Sequence, residues 1–473
     1  MKKIFKICRV IIFVLPILLG AWGMHFLEGE SLLDSVFNSL LMYFFCYTDH
    51  PANIFIEIAR WLAPAVTASG VLLIFYRLRD NIIHFLLFYT GKSIAVYGPE
   101  GEKNAILDEI RHYGISGKDV FVPASRYILL NDEETNFAFY NANKAKMKNR
   151  TVYLKSQSLP AEAVCDSELR LFCPEESSAR LFWKRNFLYP LSLQNDHKLN
   201  IVLIGFEKLG EELLLFGLQN NIFSPDQRIT YHIFGDGTHF RASHLELDSI
   251  SDPIIFYEKS WDLHLELIEQ AYMVIVLTQK NQMELLRELL FTTIRERIHI
   301  FASDISRACL LDGNERLVIF DWKSEAQKLD YILNDTLFTH AKRINLRYAH
   351  IYSGVPETEE SMENEWKALD TFTRYSNVSS ADYHEVRLKM LAASGNSGTT
   401  DLTDDELEFH AELEHIRWCR YHYLNNWKYG VPDNGKNKDK KLRIHSDLIP
   451  YQTLTEAEKE KDRENIRLLL SIQ

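Results

Sequence analysis

The stretch "KLNIVLIGFEKLGEELLLFGLQN", residues 198–220, decides how the middle of this chain is read. Ile201 to Ile204 form a continuous apolar run that stops on Gly205, and a polar turn through Glu207 leads past Gly210 into leucines at helical spacing. A strand apolar on both faces, then a glycine turn and a helix, is the unit from which buried parallel sheets are built. The rhythm continues downstream in "RITYHIFGDG" (228–237), "DPIIFYE" (252–258), "AYMVIVLTQ" (271–279), "RIHIFAS" (297–303) and "RLVIFDW" (316–322), each an apolar run separated from the next by helical or polar residues.

Upstream, "KSIAVYGPEGEKNAILDEIRHYG" (92–114) repeats the scheme, with a strand ending at Tyr97, a turn holding Gly98 and Gly101, and an amphipathic helix carrying Ala105, Ile106 and Ile110. "DVFVPAS" (119–125) and "RYILLND" (126–132) read as its next strands. The chain therefore looks internally duplicated, with α/β Rossmann-like units in tandem over residues 91–195 and 196–323. A dinucleotide fingerprint has the spacing G-x-G-x-x-G and an acid at the end of the second strand for the ribose. Gly205, Glu207 and Gly210 stand at the fingerprint positions, and Asp236 stands at the second-strand end. Glu207 puts a carboxylate where a pyrophosphate would approach, so the sheet has either kept a nucleotide or NAD-derived ligand or kept only its fold. The first unit offers Gly98 and Gly101 without a ribose acid.

Composition narrows the partners. A formal charge of -12 with a pI near 5.8 argues against a nucleic-acid partner, which wants a basic face. The six cysteines have neither CxxC nor CxxCH spacing, which fits a reducing compartment. "TGKS" (90–93) is not a P-loop, because it precedes a strand instead of following one. No nucleophile elbow, HExxH or kinase set occurs, so no catalytic constellation is assigned and the chain is not read as an enzyme. His415, Cys419 and His422 have metal-capable helical spacing but no evident fourth ligand, and no metal is assigned.

The beginning reads differently. Lys2, Lys3, Lys6 and Arg9 precede an apolar run from Val10 to Phe26, which is a transmembrane helix or a signal peptide. A second apolar run, Trp61 to Tyr76, ends on Arg77 and Arg79, while Glu28, Glu30, Asp34 and Asp49 lie between the two. Basic flanks outside and acids between place both termini in the cytoplasm of an inner (plasma) membrane protein. The apolar stretch from Ser35 to Phe45 is too short to cross and suits a re-entrant segment.

Helix, short helix, turn, helix over residues 1–90 resembles the plan of two-span potassium channels, with a pore-like segment at 35–50. "FFCYTD" (44–49) stands where their filter would stand: Tyr47 and Asp49 remain, but Cys46 and Thr48 replace both filter glycines. That resemblance implies a homo-oligomer, four subunits if the pore is real. The residues read equally as an anchor with an interfacial helix. Two spans followed by tandem Rossmann-like units resemble channel and transporter proteins with RCK or KTN regulatory domains, which pass ligand binding to membrane helices.

After Asp321 the sequence turns helical, a connector over 324–400, and "SGNSGTTDLTDDE" (394–406) has a linker composition that would isolate the C-terminal segment. Residues 401–473 contain "HAELEHIRWCRYHYLNNWKYGVP" (410–432), the Leu448–Tyr451 corner, and Leu454-Thr455-Glu456 running into Lys459, Lys461, Asp462 and Arg463. This region resembles the ryanodine receptor repeat domain, a small, mainly α module. Its aromatics are core candidates, and His415, Arg417, Trp418, Trp427, Tyr429, Tyr451 and Arg463 are the residues that could line a pocket for a nucleotide-type ligand. The combination implies a ligand-gated, ion-channel-like membrane sensor of the kind used in stress or phage defence. Its rival is a non-conducting, membrane-anchored nucleotide-binding scaffold that recruits a protein partner.

Overall fold

The computed structural model describes residues 13–48, 53–110, 113–117, 120–157, 168–292, 294, 296–302, 313–395, 402–433 and 435–471. The chain divides into two compact units, Met1–Ser93 and Ile94–Gln473.

In the first unit, apolar helices cover Phe13–Leu27 and Leu32–Phe44, and a 36-residue helix runs from Ile54 to Tyr89. Among the described residues one stretch, Ile54–Leu72, is a helix long and apolar enough to cross a membrane. The beginning of the expected first span, including Val10, lies outside the described residues. Asn53 starts the long helix by accepting from the Phe55 and Ile56 amides, and the helix continues through Pro64. The short Leu32–Leu41 helix begins at Ser31, whose side chain accepts from the Asp34 amide. Its Ser35 and Ser39 are fully buried, and a Cβ on Gly20 would come within 2.5 Å of the Ser39 hydroxyl, so Gly20 permits that close approach. The Thr67 hydroxyl donates to the Tyr43 carbonyl at 3.1 Å, tying the end of the short helix to the long one. The chain then turns at Phe45, whose φ of 58° is left-handed, a conformation that costs a bulky residue roughly 1–2 kcal/mol. Cys46 and Thr48 are exposed and Tyr47 is half-buried, while Asp49 lies outside the described residues.

The second unit contains two parallel sheets. The first comprises β1 (Ile94–Tyr97), β2 (Gly114–Ser116), β3 (Arg126–Leu129), β4 (Thr151–Lys155) and β5 (Leu169–Phe172), in spatial order β2-β1-β3-β4-β5. "DVFVPAS" does not supply a strand: residues 120–125 are irregular and hold Pro123, which has no ladder donor. The strand is instead the short Gly114–Ser116.

The second sheet comprises β6 (Lys198–Ile204), β7 (Arg228–Phe234), β8 (Ile254–Tyr257), β9 (Met273–Val276), β10 (Ile298–Phe301) and β11 (Leu317–Phe320), ordered β11-β10-β9-β6-β7-β8. Counted from β6 this is 3-2-1-4-5-6, the dinucleotide-fold order, with its switch point between β6 and β9. Removing the edge strand β8 leaves 2-1-3-4-5, the order of the first sheet, which gives the duplication its structural content. Ile201, Val202 and Leu203 are fully buried, as a strand covered on both faces requires.

Helices α1 (Pro174–Arg185), α2 (Lys208–Asn220), α3 (Thr339–Ser353), α4 (Thr371–Ala393), α5 (Asp404–Leu424) and α6 (Glu456–Leu470) are among the helices of the same unit. One hydrophobic core holds Leu203 and Ile233 of the sheet, Phe182 of α1, Leu213 of α2, Tyr383 of α4, Leu413 of α5 and Leu469 of α6. The residues after the expected linker are therefore not isolated, because α5 and α6 share the core of the second sheet. Their starts are as the sequence suggests: Thr403 and Glu406 form both bonds of a capping box, and the Thr455 side chain accepts from the Glu458 amide. A small sheet of β12 (Lys428–Tyr429), β13 (Lys438–Asp439) and β14 (Ile444–His445) lies between α5 and α6 in sequence.

Candidate functional site

At the carboxyl ends of β6, β7 and β9, where open α/β sheets bind ligands, lies a crevice of about 920 Å³. Gly205 closes β6 with φ +97°, and a Cβ there would come within 2.7 Å of the Thr278 amide nitrogen, so both conformation and space demand glycine. Asp236 lines the crevice just beyond β7, where its Oδ1 accepts from the Thr238 amide at 2.9 Å. Bonding to Thr238 holds its carboxyl below the usual range, so the second-strand tip carries a fixed negative charge. Arg241, Lys259 and Lys280 bring positive charge to the same space, and the Arg241 guanidinium lies 4.8 Å above the Phe256 ring. Such a mixture can take a ribose hydroxyl at one end and a phosphate at the other.

Glu207 stands at the start of α2. It is the exposed N-cap residue of α2, makes no side-chain cap bond, and is not among the residues lining the crevice. Gly210 sits in the first turns of α2, where a Cβ would meet the Phe206 ring at 3.0 Å. In the first sheet, a Cβ on Gly98 would approach Leu130 to 2.6 Å, whereas Gly101 faces open space, so only Gly98 is sterically required.

The C-terminal candidates separate into four groups. Arg417 is committed to the core: its Nη2 donates to Glu414 at 2.7 Å and its Nη1 to the Ser379 hydroxyl at 3.0 Å, with almost no exposure. A guanidinium so occupied has no face to offer a phosphate. His415, Trp418 and Trp427 belong to an aromatic-histidine stack: the Trp418 ring lies 5.6 Å from His415 and 4.1 Å from His422, and Trp427 stacks on Phe372 at 5.3 Å. Tyr451 is buried beneath the Lys459 ammonium, 5.4 Å from its ring. Arg463 and Tyr429 face outward, Arg463 held by Glu408 at 2.6 Å and Tyr429 58 % exposed. Of these residues Trp427 is the one that lines a second cavity, shared with the sheet units.

His415 illustrates the electrostatics of this core. Its Nε2–H donates to the Ile449 carbonyl at 2.8 Å and its Nδ1 faces the Asp462 carboxylate at 3.3 Å, an arrangement that uses both nitrogens as donors. Burial alone would depress the ring, but Asp462 and Cys419 outweigh it and hold it up at about 10. A folded-state value above the unfolded one of about 6.5 gives stability that is complete below that pH and fades as pH rises through the folded value. The denaturation midpoint of the native chain is therefore expected to fall between pH 6.5 and 10 more steeply than that of Asp462→Asn. Equal slopes in parallel urea titrations would contradict the ion pair. Cys419 lies 3.4 Å from His415, but among the described residues no three His, Cys, Asp or Glu groups converge to hold a metal ion.

The crevice and the C-terminal region meet on one short helix. Residues 236–238 and Arg241 line the crevice, and immediately beyond, the Asn426 amide group donates to the Ser243 carbonyl at 2.9 Å. The Leu245 amide donates to Asn426 at 2.7 Å, and His244 donates to the Leu424 carbonyl at 2.6 Å. Asn426 adopts a left-handed φ of 60°, which asparagine tolerates better than most residues. These contacts were not legible in the sequence, since nothing local marks Ser243 or His244 as partners of Asn426.

No curated protein matches the chain. Residues 401–472 match the family model described as RyR domain, and this segment, comprising α5, the small sheet and α6, is the chain's RyR domain.

Proposed function

We propose that this chain is a ligand-gated, ion-channel-like membrane protein whose Ile94–Gln473 unit senses a nucleotide-type ligand in the cytosol. The observation that carries the reading is the crevice at the switch point of a 3-2-1-4-5-6 sheet, with glycine enforced at 205, an acid at 236 and cations at 241, 259 and 280. Transmission is supported by the helix Thr238–Ser243, which borders the crevice and whose end is hydrogen-bonded to the RyR domain. A ligand gripping Asp236 or Arg241 shifts the equilibrium only by binding two arrangements of that helix unequally.

Supporting the membrane part are the apolar Ile54–Leu72 segment and the large apolar side chains left exposed around it, Trp61 at 73 % among them. The short serine-backed helix and its left-handed corner at Phe45 suit the pore-like role, in an inner-membrane protein with both termini cytoplasmic and four subunits around the pore. The cellular role would be that of a stress or phage-defence effector and a sensor, not an enzyme. The scaffold reading is favoured by one observation, the replacement of both filter glycines by Cys46 and Thr48.

The test is thermal denaturation of the full chain in detergent with NAD, ATP and AMP. A binder at a hundred times its dissociation constant should add about 2.7 kcal/mol. Gly205→Ala and Asp236→Asn should abolish or halve the shift, and the absence of any shift across these nucleotides would count against the sensor.

A further inference from the structure

A second cavity, about 760 Å³, opens where the first sheet, α2, α4 and the RyR domain meet. Its size is that of a small-molecule site, and its lining is polarised. At the inner end the Tyr375 hydroxyl donates to Glu176 at 2.7 Å, and Glu212, only 9 % exposed on α2, receives the Lys208 ammonium at 2.6 Å. Burial drives the Glu176 carboxyl up to about 7 despite Arg180, and it drives Glu212 upward as well. Carboxyls kept out of water in this way are stabilised by hydrogen-bond donors from a ligand.

One wall is aromatic, with Trp427 of the RyR domain stacked on Phe372 of α4 at an interplanar angle of 28°. The mouth is basic. Lys440 and Arg443 reach it from the loop "GKNKDKKLR" (435–443), Lys440 meeting Asp370 at 3.3 Å through two exposed side chains whose pairing in water is worth little.

A carboxyl-rich inner end, a stacking wall and a cationic mouth complement a molecule with a donor-bearing flat ring at one end and an anion at the other. We propose that this cleft is a second ligand site, taking a mononucleotide whose amino-bearing base faces Glu176 and Glu212 and whose phosphate meets Lys440 and Arg443. It rests on the nucleotide-sensing reading but locates a ligand away from the crevice. His244, at the end of the helix that borders the crevice, lines this cleft, so occupancy of one cavity is felt at the other.

The experiment is equilibrium dialysis of the full chain in detergent with AMP, GMP and UMP, the last lacking an exocyclic amino group. AMP or GMP should bind at least about tenfold more tightly than UMP, the difference expected of a charge-assisted contact. Glu176→Gln and, separately, the exposed-loop change Arg443→Glu should each weaken by about tenfold the binding that remains in a chain carrying Asp236→Asn, a background that removes the crevice's share. Arg443→Glu lies outside the core, so its effect is not a failure to fold. Equal binding of all three nucleotides, or AMP and GMP binding untouched by either cleft variant, overturns the cleft. If binding is instead lost with Gly205→Ala and Asp236→Asn alone, the cleft is overturned and the crevice reading stands. If neither AMP nor GMP binds, the cleft is again overturned, and the crevice then stands or falls on NAD and ATP.

Discussion

Glu414→Ala is expected to destabilise the Ile94–Gln473 unit by about 3–5 kcal/mol, because it leaves buried cations without their counter-ion. Glu414 is 1 % exposed and sits between two arginines: Arg387, fully buried on α4, donates to it at 2.6 Å, and Arg417 donates at 2.7 and 3.1 Å. The Asn465 side chain of α6 adds a fourth bond at 3.0 Å, so this one carboxylate joins α4, α5 and α6. Burial would raise its pKa, but Arg417 and Arg387 more than compensate and hold the group below the ordinary range. Exposed ion pairs rarely exceed about 1 kcal/mol, and a loss that small in urea denaturation of the full chain would mean the pair is solvated. Glu414→Gln keeps the shape and should fall between Ala and native, which separates charge from packing.

Arg420→Ala is expected to have a comparable effect, about 3–5 kcal/mol, but a different pattern. Arg420 of α5 meets Asp252, which is 1 % exposed and precedes β8, at 2.8 Å, and donates to the Leu218 carbonyl of α2 at 3.0 Å. Asp252 also accepts from Gln227 and the Ile229 amide, so removing the arginine strands a buried carboxylate that the sheet cannot release to water. Since this pair fastens the RyR domain to the second sheet, hydrogen exchange should quicken across α5 while the amides of β6 and β9 stay protected. Uniform acceleration through both would show that the domain and the sheet unfold as one block.

How much of this was legible in the sequence varies by element. The strands β6, β7, β9 and β10 declare themselves because a strand buried on both faces is a short run of apolar residues bounded by turn signals. Gly205 and Asp236 could likewise be placed, since chain order fixes which residues stand at the ends of the first two strands. The strand β2 was misplaced because "GIS" is too short to show periodicity, and "DVFVPAS" mimics a strand until Pro123 is weighed. Arg417 was expected to meet a ligand, yet it neutralises Glu414. Pairing of charges within a core follows from tertiary approach, so a spacing of three along a helix suggests only half of it. Trp427 lines its cavity together with Glu176, Lys208 and Tyr375 from distant elements, and no local motif marks those partners. The linker-like composition before Thr403 describes the connecting residues alone and says nothing of how firmly α5 packs beyond them.

The most direct test of the sensor-channel account is potassium release from liposomes that contain the full chain, followed as NAD, ATP, AMP and GMP are added in turn. The account expects release that at least one nucleotide switches on or off and that Gly205→Ala, whose Cβ would crowd Thr278 beside the crevice, makes unresponsive. Liposomes that hold their potassium with every nucleotide, when the same protein binds one of them in detergent, would contradict gating and leave a nucleotide-binding scaffold on the membrane.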